Sequence, residues 1–306
     1  MNIPVIAIVG ATSVGKTNLS IELAKKFNCE IISVDSVQIY RDFNIGSAKI
    51  KEEEMQGIKH HLIDELDPIE NLSVYEFQNL ARRKIEEVYS RGKIPLLVGG
   101  TGYYMNAILY NYEFSNYNKD FNIDNISLEE MLQYLKENFL ETYEKIDKKN
   151  MRRIVNAYKY AIYESKSLIE NNKGTEIYYR YNPHIIVLNR EREIIYNRIN
   201  VRVNIMLKEG LVEEVKSIIN KYGNKLQALN SIGYKEVVNY LNNNQNLEFL
   251  EEDIAKNSRR FAKRQITWFR NKMPDTHWYN IDNIEEIESI YPDVENFLMV
   301  KNNENN

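Results

Sequence analysis

The segment Gly10-Ala11-Thr12-Ser13-Val14-Gly15-Lys16-Thr17 carries glycine and lysine at the spacing of a phosphate-binding loop. In such a loop, backbone N–H groups converge on one concavity. The following helix adds the positive end of its dipole, and a lysine adds a point charge. Thr17, a hydroxyl next to that lysine, is the residue type that holds magnesium beside a bound phosphate. The chemistry implied is recognition of a di- or triphosphate. Taken alone, the loop is a nucleotide-binding, ATP-binding signature.

Two further residues narrow that reading. Phosphate-loop ATPases carry a carboxylate at the end of a later apolar strand, where it helps hold magnesium. Here the later run, Ile94-Pro95-Leu96-Leu97-Val98, ends in Gly99-Gly100-Thr101, and the acid stands instead after Glu30-Ile31-Ile32-Ser33-Val34, as Asp35. Ligands of open parallel sheets bind at the carboxyl ends of the strands, so Asp35 and Thr101 are both expected to face the phosphate loop. An acid and a hydroxyl there suit deprotonating and positioning an acceptor nucleophile. Asp35 equally fits a turn residue and Thr101 a helix N-cap.

Cations supply the third group. Arg198 and Arg202 lie four apart on one expected helix face, with Arg190 and Arg192 just before them. Guanidinium forks suit diphosphate or RNA phosphate, and they equally suit surface pairs with Glu191, Glu193 or Glu209. Between residues 255 and 272 stand Lys256, Arg259, Arg260, Lys263, Arg264, Arg270 and Lys272, with no acid. Phe261, Ala262, Ile266 and Phe269 form an apolar stripe within that block. The stripe would dock on the body while the cations either track a phosphate backbone or remain a solvated face. His60 and His61 lack metal-ligand spacing, and Cys29 reads as a packing residue.

The elements that must position these residues alternate between strand and helix. Strands are expected at 4–9, 30–34, 61–64, 94–98 and 184–188, and helices at 16–27, 73–90, 191–222 (interrupted near Gly210) and 252–271. Ser73 with Glu76 is a capping-box pattern at the start of the second of these helices. Such alternation implies an α/β fold, a parallel sheet covered by helices on both faces. Residues 110–125 read as a linker, 127–170 as helical, 242–246 as a polar loop and 301–306 as a frayed tail. The expected organisation is a core of 1–110 and 184–306, with C-terminal helices, and a small inserted helical segment at 111–183.

Bulk properties exclude some classes. The chain has 306 residues, 43% hydrophobic and 27% charged, with a single cysteine. No internal disulfide is possible, and an intracellular, cytoplasmic home is expected. No apolar run reaches membrane-spanning length. The net charge of −4 argues against nucleic-acid binding by the chain as a whole, but not by a local basic stripe.

Taken in order, the motifs resemble the tRNA dimethylallyltransferase family. The matching pieces are the phosphate loop, Ser33-Val34-Asp35-Ser36-Val37-Gln38-Ile39-Tyr40, Ile45-Gly46-Ser47-Ala48-Lys49, His60-His61-Leu62-Ile63-Asp64 and Leu97-Val98-Gly99-Gly100-Thr101-Gly102. Later come Arg198-Ile199 through Arg202 and Met206, Gly210-Leu211, Ile232-Gly233-Tyr234-Lys235-Glu236 and Lys263-Arg264-Gln265-Ile266-Thr267-Trp268-Phe269-Arg270. The resemblance implies a phosphate-loop NTPase-like fold. It also implies transfer of a dimethylallyl group from dimethylallyl diphosphate to the exocyclic amine of the adenine 3′ to the anticodon in tRNA. It makes Asp35 the base, Thr101 a residue that orients the reacting groups, and Lys16 with the loop the cradle for the leaving diphosphate, aided by magnesium on Thr17. Arg198 or Arg202 would contact diphosphate. Asp35, Ser36, Val37, Gln38, Arg152, Arg153, Lys263, Arg264, Gln265 and Arg270 would contact tRNA. Independently of the resemblance, a monomer is expected.

The sequence departs from the family where it grips RNA. The inserted segment is shorter, and Lys148-Lys149-Asn150-Met151-Arg152-Arg153-Ile154 lacks the usual His-Pro-Asn-Asp stretch. Asn156 stands where a further Arg is usual, and Ser231 replaces the first of two glycines before Tyr234. Three other functions fit parts of the pattern: a prenyltransferase of free adenine nucleotides, a small-molecule kinase, and an inactive nucleotide-gated RNA-binding protein.

Overall fold

A computed structural model describes residues 3–112, 126–165, 177–243 and 246–304. In chain order the elements are β1 (Pro4–Gly10), α1 (Lys16–Lys26), β2 (Cys29–Val34), α2 (Glu52–Met55), β3 (His60–His61), α3 (Val74–Ser90), β4 (Ile94–Gly99) and α4 (Gly102–Leu109). Then follow α5 (Leu128–Asn138), α6 (Leu140–Lys145), α7 (Met151–Glu164), β5 (Asn182–Asn189), α8 (Arg192–Lys208), α9 (Leu211–Tyr222), α10 (Tyr234–Asn243), α11 (Leu247–Lys272), β6 (Thr276–Asn280) and α12 (Ile284–Glu304).

The strands form one sheet in the order β3-β2-β4-β1-β5-β6, every pair parallel. Their apolar runs are continuous because both faces are buried. Val5, Ala7 and Val9 of β1 enter one core, and the alternating Ile6 and Ile8 enter the other. The first core takes the apolar faces of α3, α4 and α8 to α11, and the second takes α1 and α12. In α3 the capping box forms as expected: Ser73 Oγ accepts from the Glu76 N–H, and the Glu76 carboxylate accepts from the Ser73 N–H at 2.8 Å.

The chain divides into two units, residues 1–110 with 179–306, and residues 111–178. The first unit closes on itself at an isolated bridge between Tyr110 and Tyr179, whose rings stack at 4.6 Å. The chain thus rejoins the first unit at Tyr179, just ahead of β5, whereas the sequence pattern put that return at 184. The second unit packs Met131 and Leu135 of α5 with Ile154, Ala157, Tyr158 and Ala161 of α7.

Several boundaries differ from the sequence expectation. β3 stops at His61 because Leu62 (φ 60°) and Asp64 (φ 54°) leave the extended region. α11 starts at Leu247, capped by the Asn246 side chain, and α10 reaches Asn243, so Asn242, Asn243 and Asn246 of the expected loop are helix end and cap. β6 and α12 were not anticipated, and α12 runs through Lys301 to Glu304. Residues 113–125 of the expected linker, 166–170 of the expected helical stretch, 244–245 of the expected polar loop and 305–306 of the tail lie outside the described residues.

Candidate active site

Strand register brings the chemistry together. Val34 and Val9 both pair with Gly99, on opposite sides of β4, and Gly10 pairs with Leu188 of β5. The residues that follow these ends are Asp35, Gly100-Thr101 and the phosphate loop. All leave the sheet at its carboxyl edge and at one level, where a parallel sheet binds ligands.

The phosphate loop is tied down by its lysine and by arginines from α8. Lys16 Nζ donates to the carbonyls of Gly10 (3.1 Å) and Ala11 (2.8 Å). Burial lowers its pKa to about 7, helped by the like charge of Arg202 and opposed by Asp35. Arg198 Nε donates to Ser13 O at 2.7 Å, and Arg202 Nη1 reaches Thr12 Oγ1 at 3.4 Å. Both arginines named from the sequence therefore converge on the loop. Burial lowers the Arg202 pKa, while the nearby Asp35 raises it. Arg190 plays a different part, since its Nε donates to Val14 O at 2.9 Å and its Nη1 pairs with Asp282. The Ser13 hydroxyl is buried without a partner among the described residues, and Ser13 itself sits at φ 62°. A strained serine with an unused buried hydroxyl in an anion nest is suited to a phosphate oxygen.

Asp35 fulfils its turn reading with one oxygen. Oδ1 accepts from the N–H groups of Val37 (2.8 Å) and Gln38 (3.2 Å), while Oδ2 takes no hydrogen bond from the described residues. Its charge is felt by both Lys16 and Arg202. Gln38 holds the next loop, with Nε2 donating to Ser47 O at 3.1 Å and Oε1 accepting from Ser33 Oγ. Thr101 occupies the N-cap position of α4, but its side chain makes no capping hydrogen bond.

The basic helix α11 has two faces. Ala262, Gln265 and Phe269 are buried, whereas Lys263, Arg264 and Arg270 are exposed. Arg264 lies over the Phe261 ring and Arg270 over the Trp278 ring, at 5.7 and 5.4 Å. Gln265, grouped from sequence with the RNA contacts, instead spends both ends of its amide on backbone at the phosphate loop and the β4 turn. Arg152 and Arg153 are exposed in the first turn of α7, in the second unit.

A profile of the IPP transferase family matches residues 38–272. A tRNA dimethylallyltransferase of Pediococcus pentosaceus is 46% identical over 97% of this chain and 98% of its own length. One of Bacillus cereus is 40% identical over 98% and 96%. The chain belongs to the IPP transferase family. Among solved structures, the tRNA isopentenylpyrophosphate transferase of Bacillus halodurans is 37% identical, with a TM-score of 0.76 over 99% of each chain. A eukaryotic dimethylallyltransferase acting on tRNA is 28% identical, with a TM-score of 0.82 over 91% of this chain and 74% of its own.

The family motifs Ile45-Gly46-Ser47 and Gly233-Tyr234 turn out to be one contact. The Glu214 carboxylate accepts from the N–H groups of Asn44 (3.1 Å), Ile45 (2.8 Å) and Gly46 (3.2 Å) and from Tyr234 Oη (2.7 Å). Tyr234 Oη in turn accepts from Ser47 N. Burial, then the Glu214 charge, pushes the Tyr234 pKa up, so the phenol remains a donor. Sequence reading missed Glu214, which sits on the polar side of a helix like any solvated acid.

Proposed function

We propose that this chain transfers a dimethylallyl group from dimethylallyl diphosphate to the exocyclic amine of an adenine beside the anticodon of tRNA. The observation that carries the reading is the carboxyl edge of the sheet. Asp35 follows β2 and Thr101 follows β4 there, level with the phosphate loop that follows β1, and no carboxylate comes directly after β4. A phosphoryl-transfer enzyme needs its metal-holding acid there, whereas an enzyme that releases diphosphate needs a cradle and a base.

In this mechanism the adenine leaves its stack and enters the edge beside Asp35. The amine nitrogen bonds to the allylic carbon as that carbon's bond to the diphosphate oxygen breaks. The bonding electrons leave with the diphosphate. Asp35 Oδ2 accepts the proton released by the amine, and Thr101 Oγ1 holds the reacting groups in line. Lys16, the loop N–H groups, the Ser13 hydroxyl, Arg198 and Arg202 stabilise the charge that grows on the diphosphate. Thr17 is exposed at the first turn of α1, and its hydroxyl is a hard oxygen donor that fits magnesium completed by phosphate oxygens and water. Bound there, the metal would add charge to the same leaving group. Lys263, Arg264, Arg270, Arg152 and Arg153 take the tRNA backbone, with Ser36 and Val37 beside the entering base. One copy carries every group in this reading, which supports action as a monomer. A tRNA substrate would place the enzyme in the cytoplasm.

The test is incubation with unmodified tRNA, magnesium and dimethylallyl diphosphate, followed by mass analysis of the digested nucleosides. A gain of one dimethylallyl group on adenosine is expected. No gain refutes the proposal, a gain on free AMP alone favours a nucleotide prenyltransferase, and ATP-dependent phosphorylation of a small molecule favours a kinase.

A further inference from the structure

The exposed cations of α11 draw attention to RNA, but its buried side touches the chemistry. Gln265 is 5% exposed. Its Oε1 accepts from the Thr12 N–H at 2.9 Å, and its Nε2 donates to Gly100 O at 3.0 Å. The two partners fix the amide's orientation, because a backbone N–H can only donate and a carbonyl can only accept. Thr12 lies in the phosphate loop after β1, and Gly100 immediately precedes Thr101 after β4. One side chain therefore ties the phosphate loop and the turn after β4 at a set spacing.

The turn is built to receive this helix. A Cβ on Gly100 would lie 2.2 Å from Gln265 Nε2, and one on Gly102 would lie 2.2 Å from Trp268 Cδ1. Residues 265 and 268 are neighbours on one helix face, so Thr101 sits between two glycines pressed onto Gln265 and Trp268 of α11.

We infer that Gln265 is a positioning residue for the transfer reaction, holding Thr101 and the phosphate loop in register. This rests on the reading of that loop and Thr101 as the reacting centre. No other natural side chain of this length both accepts from Thr12 and donates to Gly100 without charge. Glutamate loses the donor, methionine loses both bonds, and asparagine is one methylene short.

The experiment uses the full chain, varying dimethylallyl diphosphate and tRNA separately, with tRNA binding and thermal melting measured in parallel. Gln265→Met is expected to lower kcat about 100-fold, the scale of a displacement on the order of 1 Å between reacting groups. The Kd for tRNA should stay within about twofold, because the side chain is not on the RNA face. Gly100→Ala, which displaces the same amide from the other side, should show the same split with Gln265 intact. It replaces Gln265→Met if that variant does not fold. A wild-type kcat in a folded Gln265→Met overturns the inference. So does weakened tRNA binding with an unchanged kcat at saturating RNA, which would return Gln265 to the RNA contacts. Thr101→Ala is the reference. If it is inactive while Gln265→Met is normal, only this inference falls, and if it is fully active, the reading of the site falls with it.

Discussion

The phosphate loop, which the buried face of α11 meets, and the exposed face of the same helix differ in kind. At the phosphate loop, nearly every contact is made by backbone or by a side chain with a fixed partner: Lys16 to two carbonyls, Arg198 to Ser13 O, Gln265 to Thr12 N and Gly100 O. The face with Lys263, Arg264 and Arg270 is exposed charge resting on aromatic rings or solvent. The first region has one geometry to lose, and the second has many weak, interchangeable contacts. Single substitutions in the first should act on rate, and those in the second on affinity and its salt dependence. The sharpest way to break this contrast is Asp35→Ala or Thr101→Ala. Each is expected to lower kcat by roughly 10²–10⁴-fold, the range for a positioned acid–base group, while diphosphate binding survives. Loss of diphosphate binding in both variants, measured by calorimetry, would contradict the roles given to them.

Glu214→Ala tests whether the loop beyond Asp35 belongs with the rigid region. The substitution leaves the N–H groups of Asn44, Ile45 and Gly46 and the Tyr234 hydroxyl without their acceptor. A cost of about 1–3 kcal/mol is expected, seen as a lowered melting temperature. Glu214→Gln, which keeps an acceptor oxygen, should recover part of it. An unchanged melting temperature would mean that the loop holds without this carboxylate.

A pH titration separates the lysine from the arginines. Burial, more than Arg202, brings the Lys16 pKa down to about 7. Bound diphosphate favours the charged ammonium, so the bound-state pKa lies higher. Below pH 7 the lysine is already charged in the free protein, so it contributes to binding in full and affinity does not change with its protonation. As pH rises past 7, binding must take up a proton, and affinity should fall by up to about tenfold per pH unit until the bound-state pKa is reached. Dissociation constants for dimethylallyl diphosphate between pH 6 and 9 should show this slope. In Lys16→Met, which binds more weakly throughout, the part of the slope owed to the lysine should vanish.

How much of this was legible beforehand follows from the range of each interaction. The phosphate loop, the strand runs and the Ser73–Glu76 box are local patterns, and each formed where its residues lie. Asp35 and Thr101 were legible as a pair because parallel strands deliver their carboxyl ends to one edge. Glu214 and Gln265 were not, since the backbone groups that Glu214 holds lie 168–170 residues away in sequence and the two partners of Gln265 lie 165 and 253 away. Yet Gln265 left one sign: it lies three residues beyond Ala262 and four before Phe269, on the buried stripe. A polar residue on an apolar face needs a buried partner. The strand expected at 61–64 ends instead at His61, because Leu62 and Asp64 take positive φ angles that an apolar run does not announce.

The smallest expected effect tests the other half of the contrast. Lys263 and Arg264 are exposed neighbours on α11, and neither has an ion-pair partner among the described residues. If each meets one phosphate of the tRNA, its removal releases one contact's worth of counterions. The slope of log K against log salt should then become shallower by roughly 0.7–0.9 per cation. Lys263→Ala with Arg264→Ala should weaken tRNA binding severalfold at low salt and progressively less as salt rises, with kcat at saturating tRNA unchanged. A lowered kcat at saturation would place these cations in the rigid region with Gln265. An unchanged slope would remove them from the RNA path, leaving Arg270 and the arginines of α7 as the cations to test next by the same measurement.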